Sequence, residues 1–184
     1  MDAAYKAMMR AIHEKRTPNL FVLHYDLPSW TVRNLMLIPH FVFSASAIEK
    51  RKPLAASARR AGWVGCNIVL KNIPADAKIS LVENSSVVLP QKVRERFRQL
   101  NRALEGFSVL ERGWTLDVLR IVRSLGKKQF TNDDVYNFAP QLQQLHPDNR
   151  NVIPKIRQQL QVLRDRDFLT HVKKGVWAVR QTSH

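Results

Sequence analysis

The order of apolar patterns in the last third of the chain constrains its fold more than any other feature. Three segments between residues 115 and 164 carry apolar residues at the spacing of an α-helix. Two short β-rich runs follow, separated by Lys173-Lys174-Gly175, and this pattern predicts a hairpin. Three helices followed by a hairpin with a basic tip is the order of a winged helix, so we predict that fold here.

Capping and breaking residues mark the ends of the three predicted helices. Thr115 is expected to cap the first helix, and Gly126 is expected to end it. Thr131 precedes two aspartates and is expected to cap the second helix. Asn151 is expected to cap the third helix, which should run through Arg164.

The third helix carries the residue types that read bases in DNA. Six polar or basic side chains lie at its start or off its apolar stripe: Asn151, Lys155, Arg157, Gln158, Gln161 and Arg164. In a helix-turn-helix unit the third helix of this order enters the major groove, where Arg can bridge guanine and Gln can bridge adenine. Lys173 and Lys174 at the hairpin tip are expected to contact phosphate. The alternative is that these residues form a solvated helix face.

The first 106 residues read as mixed helix and strand. We predict a helix over 2–15, a hairpin from the runs 20–27 and 32–43, a short helix over 45–50, strands over 65–70 and 78–84, and a helix from Pro90 to about Leu104. Gly106 follows that helix, and we place a domain boundary there. The predicted class is α+β, with domains 1–106 and 107–184.

The charge of the chain predicts a polyanionic partner. It has 30 Lys and Arg against 15 Asp and Glu, which gives +15. Residues 1–106 hold 17 basic and 8 acidic residues (+9), and residues 107–184 hold 13 and 7 (+6), so both parts are basic. Nucleic acid is favoured over an acidic membrane surface, and no apolar run has the length of a membrane span. A single cysteine excludes an internal disulfide framework and suits a cytoplasmic protein.

Four stretches of the chain carry a family resemblance. They read RKPLAASARRAGWVGCNI, RGWTLDVLRIV, FTNDDVY and IRQQLQVLRDRDFL. Together they resemble the DpnI-type, or dam-replacing, restriction endonucleases, which cut GATC when its adenine is N6-methylated. The resemblance implies a bacterial, cytoplasmic restriction-modification protein in which the C-terminal part of a PD-(D/E)xK nuclease module precedes a winged helix. Both modules would bind double-stranded DNA.

The resemblance also implies features that this sequence lacks. Family members carry a four-cysteine zinc cluster and a catalytic Asp…Glu-x-Lys strand ahead of the region that matches here. The complete enzyme uses Mg²⁺, which needs carboxylate ligands. The only acidic-x-Lys sequence is Asp76-Ala77-Lys78, which we read as a turn entering a strand. We therefore expect no catalytic residue, metal ligand or cofactor in this chain, and cleavage is left open. Either the chain is a fragment or truncation, or a separate polypeptide supplies the missing nuclease strands.

The stretch around Trp63 is the predicted reader of the methyl group. An N6-methyl group adds a small apolar projection to the major-groove edge of adenine, so an aromatic surface beside hydrogen-bonding groups would suit it. Trp63 would supply that surface, and Gly62 and Gly65 would allow close approach of the backbone. The resemblance implies that this loop faces DNA, with contacts from Arg59, Arg60 and Asn67. The alternative is that Trp63 packs in the core and the arginines are solvated.

Two other function classes stay open on the sequence. One is a non-catalytic winged-helix regulator, which would bind DNA with no preference for methylated adenine. The other is a general basic nucleic-acid binder, which would ignore sequence and lose affinity steeply with salt.

Overall fold

The computed structural model describes residues 4–180. The helices are α1 (Tyr5–His13), α2 (Pro90–Leu104), α3 (Val109–Ser124), α4 (Asn132–Tyr136), α5 (Ala139–Leu145) and α6 (Val152–Asp165). The strands are β1 (Leu20–Asp26), β2 (Thr31–Ile38), β3 (Ile48–Lys50), β4 (Cys66–Ile68), β5 (Ile79–Glu83), β6 (Ser86–Val87), β7 (Gln129–Thr131), β8 (Leu169–Lys173) and β9 (Val176–Val179). None of the helices in this part of the chain combines the length and the apolar character needed to cross a membrane.

The first part of the chain is built on an antiparallel sheet in the order β1-β2-β5-β6. The predicted β1–β2 hairpin is confirmed, with Leu23 opposite Leu35. Helix α2 packs beside β5 and runs from Pro90 to Leu104, as the sequence predicts. Pro90 begins that helix because a proline there costs no hydrogen bond and its fixed φ suits the first turn.

One edge of this sheet exposes apolar side chains. On β1, alternate residues Phe21 and Leu23 are each more than half exposed, and Tyr25 continues the same row. The turn that follows exposes Leu27 and Trp30 still further. Strand β1 ends the sheet, so its outer backbone groups pair with no strand among the described residues.

The short helix predicted over 45–50 is wrong. Residues Ala45–Ala47 form one 3₁₀ turn, and Ile48 then starts strand β3, which pairs antiparallel with β4. Ile48 is buried opposite Ile68. A β-branched residue is favoured in such a paired position, and this long-range pairing overrides the local helical pattern.

The predicted cap of the first C-terminal helix is also wrong. Helix α3 begins at Val109, where Ser108 and Glu111 form a capping box. Each side chain accepts the other's backbone N–H, so two unpaired helix donors are satisfied. Thr115 lies buried inside the helix, with its Oγ1 2.8 Å from Glu111 O and 2.7 Å from Gln159 Oε1.

Helix α3 lies between the two parts of the chain, and its middle is covered on all sides. Its eight consecutive residues from Arg112 to Leu119 are buried, as expected for a helix with neighbours all round. Arg112 Nη1 donates to Phe41 O (2.9 Å), and on another side α3 packs on α6. Nearly all buried apolar residues of both parts form one continuous cluster. The boundary at Gly106 stays a prediction.

The C-terminal part has the winged-helix order, as predicted. Helices α3, α4–α5 and α6 are followed by the β8–β9 hairpin. Thr131 caps α4 through a capping box with Asp134, as expected, but the second predicted helix is broken around Phe138 into α4 and α5. Strand β7, which the sequence reading missed, pairs with β9 and places Phe130 opposite Trp177.

Candidate nucleic-acid interface

Residues 51–65 form a closed excursion between β3 and β4, which we call the basic loop. Its two sides continue the β3–β4 pairing through Arg51 N to Gly65 O (3.0 Å) and Leu54 N to Trp63 O (2.9 Å). Gly62 N returns a hydrogen bond to Leu54 O (3.0 Å). The loop is therefore held by its own backbone bonds, and residues 55–62 form its tip. Gly62 has φ +76°, a conformation that favours glycine.

Trp63 folds back over the base of the basic loop. It is half-buried, and the Cζ3 and Cη2 atoms of its indole lie against Gly65, which is itself buried. A Cβ atom at Gly65 would lie 2.8 and 2.9 Å from Trp63 Cζ3 and Cη2, so only glycine leaves room for the indole in this position. The N-terminal end of α1 supports the same place, since Tyr5 N donates to Val64 O (3.0 Å). One part of the indole is thus packed while the remainder stays accessible.

The other predicted residues of this region lie on the loop tip and on β4. Arg59 and Arg60 are exposed at the tip. Asn67 is exposed on β4, where its Nδ2 donates to Glu49 Oε2 (3.1 Å) across the strand pair. The structure therefore groups Arg59, Arg60 and Trp63 in one loop, whereas Asn67 lies beyond it and is already hydrogen-bonded. Their roles in binding stay predictions.

The start of α6 forms a shallow, open groove lined by Asp148, Asn149, Arg150, Asn151, Pro154, Lys155 and Gln158. The predicted side-chain cap by Asn151 is absent: this residue occupies the N-cap position, but its side chain accepts no bond from the first turn. Instead its backbone N–H donates to Asn149 Oδ1 (2.8 Å). Lys155 Nζ donates to Gln158 Oε1 (2.8 Å), which leaves the Gln158 amide N–H groups available as donors.

The outer face of α6 carries the remaining predicted base readers. Gln161 is exposed there, and so is Arg157, whose Nε donates to Tyr136 Oη (2.5 Å). That bond fixes the direction of the Arg157 guanidinium while its terminal nitrogens stay free to donate. Arg164 Nε instead donates to the carboxylate of its neighbour Asp165 (2.8 Å), which offsets part of its charge. Tyr136 was not predicted, because nothing local marks a tyrosine one helix earlier as an orienting group.

The wing is fixed to α4 by Asn132. Its Oδ1 accepts from Trp177 Nε1 (2.8 Å), and its backbone N–H donates to Gly175 O (2.9 Å). Gly175 has φ +75°, which lets the chain turn sharply between β8 and β9. Lys173 and Lys174 are exposed at this tip, as the sequence places them.

A buried polar network joins the turn before α6 to the first part of the chain. The Asp117 carboxylate is fully buried on α3; its Oδ2 lies 2.8 Å from His146 Nε2, and its Oδ1 accepts from Ser46 Oγ (2.9 Å). The His146 ring stacks on Trp114, with centroids 4.0 Å apart. Gly113 lies against the edge of this ring, and a Cβ there would make an ordinary contact with His146 Cε1 at 3.6 Å. These residues, distant in sequence, position the helix-turn-helix relative to the sheet.

The described part of the chain does not offer the ligands of a catalytic metal site. Within residues 4–180, no three His, Cys, Asp or Glu side chains are grouped closely enough to hold an ion. Asp76 is nearly buried, and both of its carboxylate oxygens accept from Arg123, at 2.8 Å from Nε and 2.5 Å from Nη2. Burial lowers the pKa of Lys78. A metal site would also need the Asp76 carboxylate, but this group is already paired with Arg123 on α3. Asp76-Ala77-Lys78 is the turn into β5 that the sequence predicts.

Comparison with known protein families matches both parts of the chain. Residues 1–106 match the model of the Dam-replacing family, and residues 110–178 match that of the Dam-replacing HTH domain. The helix-turn-helix match indicates DNA binding and agrees with the winged-helix order of α3 to β9. The family match indicates that methylation directs this binding and that the protein acts in restriction-modification. The chain therefore belongs to the Dam-replacing family.

Proposed function

We propose that this chain binds duplex DNA containing N6-methyladenine in the sequence GATC, as part of a methyl-directed restriction endonuclease. The observation that carries the proposal is the arrangement of the basic loop. A partly exposed indole packs on Gly65, in the same loop as two exposed arginines. An apolar surface near cationic donors suits an added methyl group on a base edge.

In this proposal the two parts of the chain divide the work. The basic loop reads the methyl group through Trp63, and Arg59 and Arg60 contact phosphate or guanine. The outer face of α6 enters the major groove with Gln158 and Gln161 toward bases, while Lys173 and Lys174 hold phosphate. The Asp117–His146 contact would keep the two readers in a fixed relation.

The apolar edge of β1 supports a further part of the proposal, in which a strand from a separate polypeptide pairs with β1 and supplies nuclease elements. Phe21, Leu23 and Tyr25 project from one side of an edge strand whose outer backbone groups have no strand partner among the described residues. A strand added there would satisfy those groups and cover the apolar row.

The test is fluorescence anisotropy at near-physiological salt with three duplexes, carrying methylated GATC, plain GATC and a scrambled site. Tighter binding of the methylated duplex is the expected result. Equal binding of methylated and plain GATC, both tighter than the scrambled site, would instead identify a winged-helix regulator without methyl preference. Equal binding of all three would leave a general basic binder.

The same samples then receive Mg²⁺ and are resolved on a gel. We expect no cutting by this chain alone, because the one candidate carboxylate, Asp76, is bound to Arg123. Cutting of methylated GATC by pure protein would mean that the active site has been misplaced.

A further inference from the structure

Helix α2 carries a row of three arginines that belongs neither to the basic loop nor to α6. Arg94, Arg98 and Arg102 follow one another at intervals of four residues, so they lie on one side of the helix. All three are exposed, whereas Leu100 and Leu104 on the opposite side are buried in the core. The row therefore faces solvent, while the opposite face of the helix packs in the core.

The charge of this row is not neutralised within the described protein. None of the three arginines forms an ion pair with a residue among 4–180, and the single acid of the helix, Glu95, accepts instead from the neutral Gln91 amide (3.0 Å). Residues 90–104 hold five Lys and Arg and one Glu, a net +4. Like charges four residues apart repel one another on a helix, so the row is stabilised only when an anion lies along it.

The helix is also hydrogen-bonded to the DNA-binding part. Arg166, which follows α6, donates from Nη1 to Arg102 O (2.9 Å) and from Nη2 to Glu105 O (3.2 Å), so it satisfies carbonyls at the end of α2. Its guanidinium also lies 4.7 Å from the centroid of the Phe107 ring. These contacts connect the end of α2, and with it the arginine row, to the end of α6.

We propose that Arg94, Arg98 and Arg102 form a phosphate-binding row that grips the DNA backbone outside the two reading elements. This inference rests on the proposed function only in taking DNA as the anion. From Arg94 to Arg102 the helix rises about 12 Å, the axial length that three to four phosphates of one DNA strand occupy. A membrane surface fits poorly, because the apolar residues that would enter it are buried in the core.

The experiment replaces the row and measures the salt dependence of binding to the scrambled duplex. In the variant R94Q/R98Q/R102Q, three lost phosphate contacts lower the slope of log Kd against log salt by about 2.7. If the affinities converge at 1 M salt, the loss at 0.15 M is on the order of 100-fold. The ratio of affinities for methylated and plain GATC stays unchanged, because phosphate contacts carry no sequence information.

Three further variants make the result decisive. R16Q/K71Q/K128Q removes the same charge from exposed positions elsewhere and should leave the slope near that of the unchanged protein. R94K/R98K/R102K keeps the charge and should keep the slope, and the single R98Q should lower it by about 0.9 even if the triple variant folds poorly.

An unchanged slope in both R98Q and the folded triple variant overturns the proposal and points to another partner for this face. An equal loss in R16Q/K71Q/K128Q overturns it as well, since the effect would then be one of total charge. If the unchanged protein shows no preference for the methylated duplex but the salt slope falls in the row variants, the proposed function is refuted and the phosphate-binding row is supported.

Discussion

Adding one methyl group at Gly65 tests whether the indole of Trp63 reads the methylated base. In Gly65→Ala the new Cβ would lie 2.8 Å from Trp63 Cζ3, whereas ordinary contact begins at 3.4 Å. The indole must therefore shift by at least 0.6 Å (3.4 minus 2.8). The backbone of Gly65 does not lie in the left-handed region, so alanine introduces this displacement and no strain of its own.

The size of the effect follows from the size of the group that is read. Burying one methyl group contributes about 0.8 kcal/mol, which corresponds to a roughly fourfold preference for the methylated duplex. A gap of 0.5–1 Å forfeits about a quarter to a half of a contact. Gly65→Ala should therefore lower the preference to about two- to threefold, and Trp63→Ala should remove it.

The assay is anisotropy with methylated and plain GATC duplexes, reported as the ratio of the two Kd values. Trp30→Ala is the matched control, because this tryptophan is 79% exposed and lies in the β1–β2 turn. It should leave the ratio unchanged. A full preference in both Gly65→Ala and Trp63→Ala would place methyl reading outside the basic loop, and an equal loss in Trp30→Ala would show that the effect is not local.

Three further predictions concern the wing, a helix cap and the sheet edge. Lys173→Ala with Lys174→Ala should weaken binding to all three duplexes alike and lower the salt slope by about 1.8; a sequence-selective loss would contradict the phosphate assignment. The hydrogen bond from Lys127 and those from Thr131 lower the pKa of Asp134 to about 2, so its stabilising effect is present above its unfolded pKa of about 4 and is lost as pH falls toward 2. The melting temperature should therefore fall less steeply between pH 5 and pH 2 in Asp134→Asn than in the unchanged protein. The same pH dependence in both proteins would refute this linkage. Without that separate polypeptide, the unpaired β1 edge is expected to pair with β1 of a second copy. Leu23→Lys should therefore reduce self-association in sedimentation runs, whereas Leu110→Lys, at an exposed leucine off the sheet, should not; equal behaviour of the two variants would exclude the β1 edge.

The elements that the sequence predicts well depend on contacts close in the chain. The β1–β2 hairpin, α2 and the β8–β9 wing have periodic patterns bounded by turn residues, and their bounds differ from prediction by a few residues. The start of α3 was misplaced although Ser108 and Glu111 have the spacing of a capping box. The sequence pattern favours Thr115 because the apolar periodicity becomes clear only after it, and the first turn of α3 is largely exposed.

The candidate site was predictable in its members but not in their arrangement. The sequence already singled out Trp63, Arg59 and Arg60 by their unusual setting, and Lys173 and Lys174 by their position between two strands. It gave no sign that Tyr136 would orient Arg157 or that Asn132 would fix the wing, because these partners lie 21 and 45 residues apart from the groups they bind.

By itself the sequence determined the basic character of both parts, the helix and strand periods and the order of the winged helix, because each of these is set by neighbouring residues. Only the tertiary structure decided that the indole of Trp63 rests on Gly65, that Asp76 is held by Arg123, and that Asp117 meets His146 in the buried middle of α3. Those contacts join residues that are brought together only when the apolar faces of both parts pack into one core. A buried polar or charged group needs a hydrogen-bond partner, and that partner can come from a distant part of the sequence. The local sequence pattern does not indicate which residue it will be.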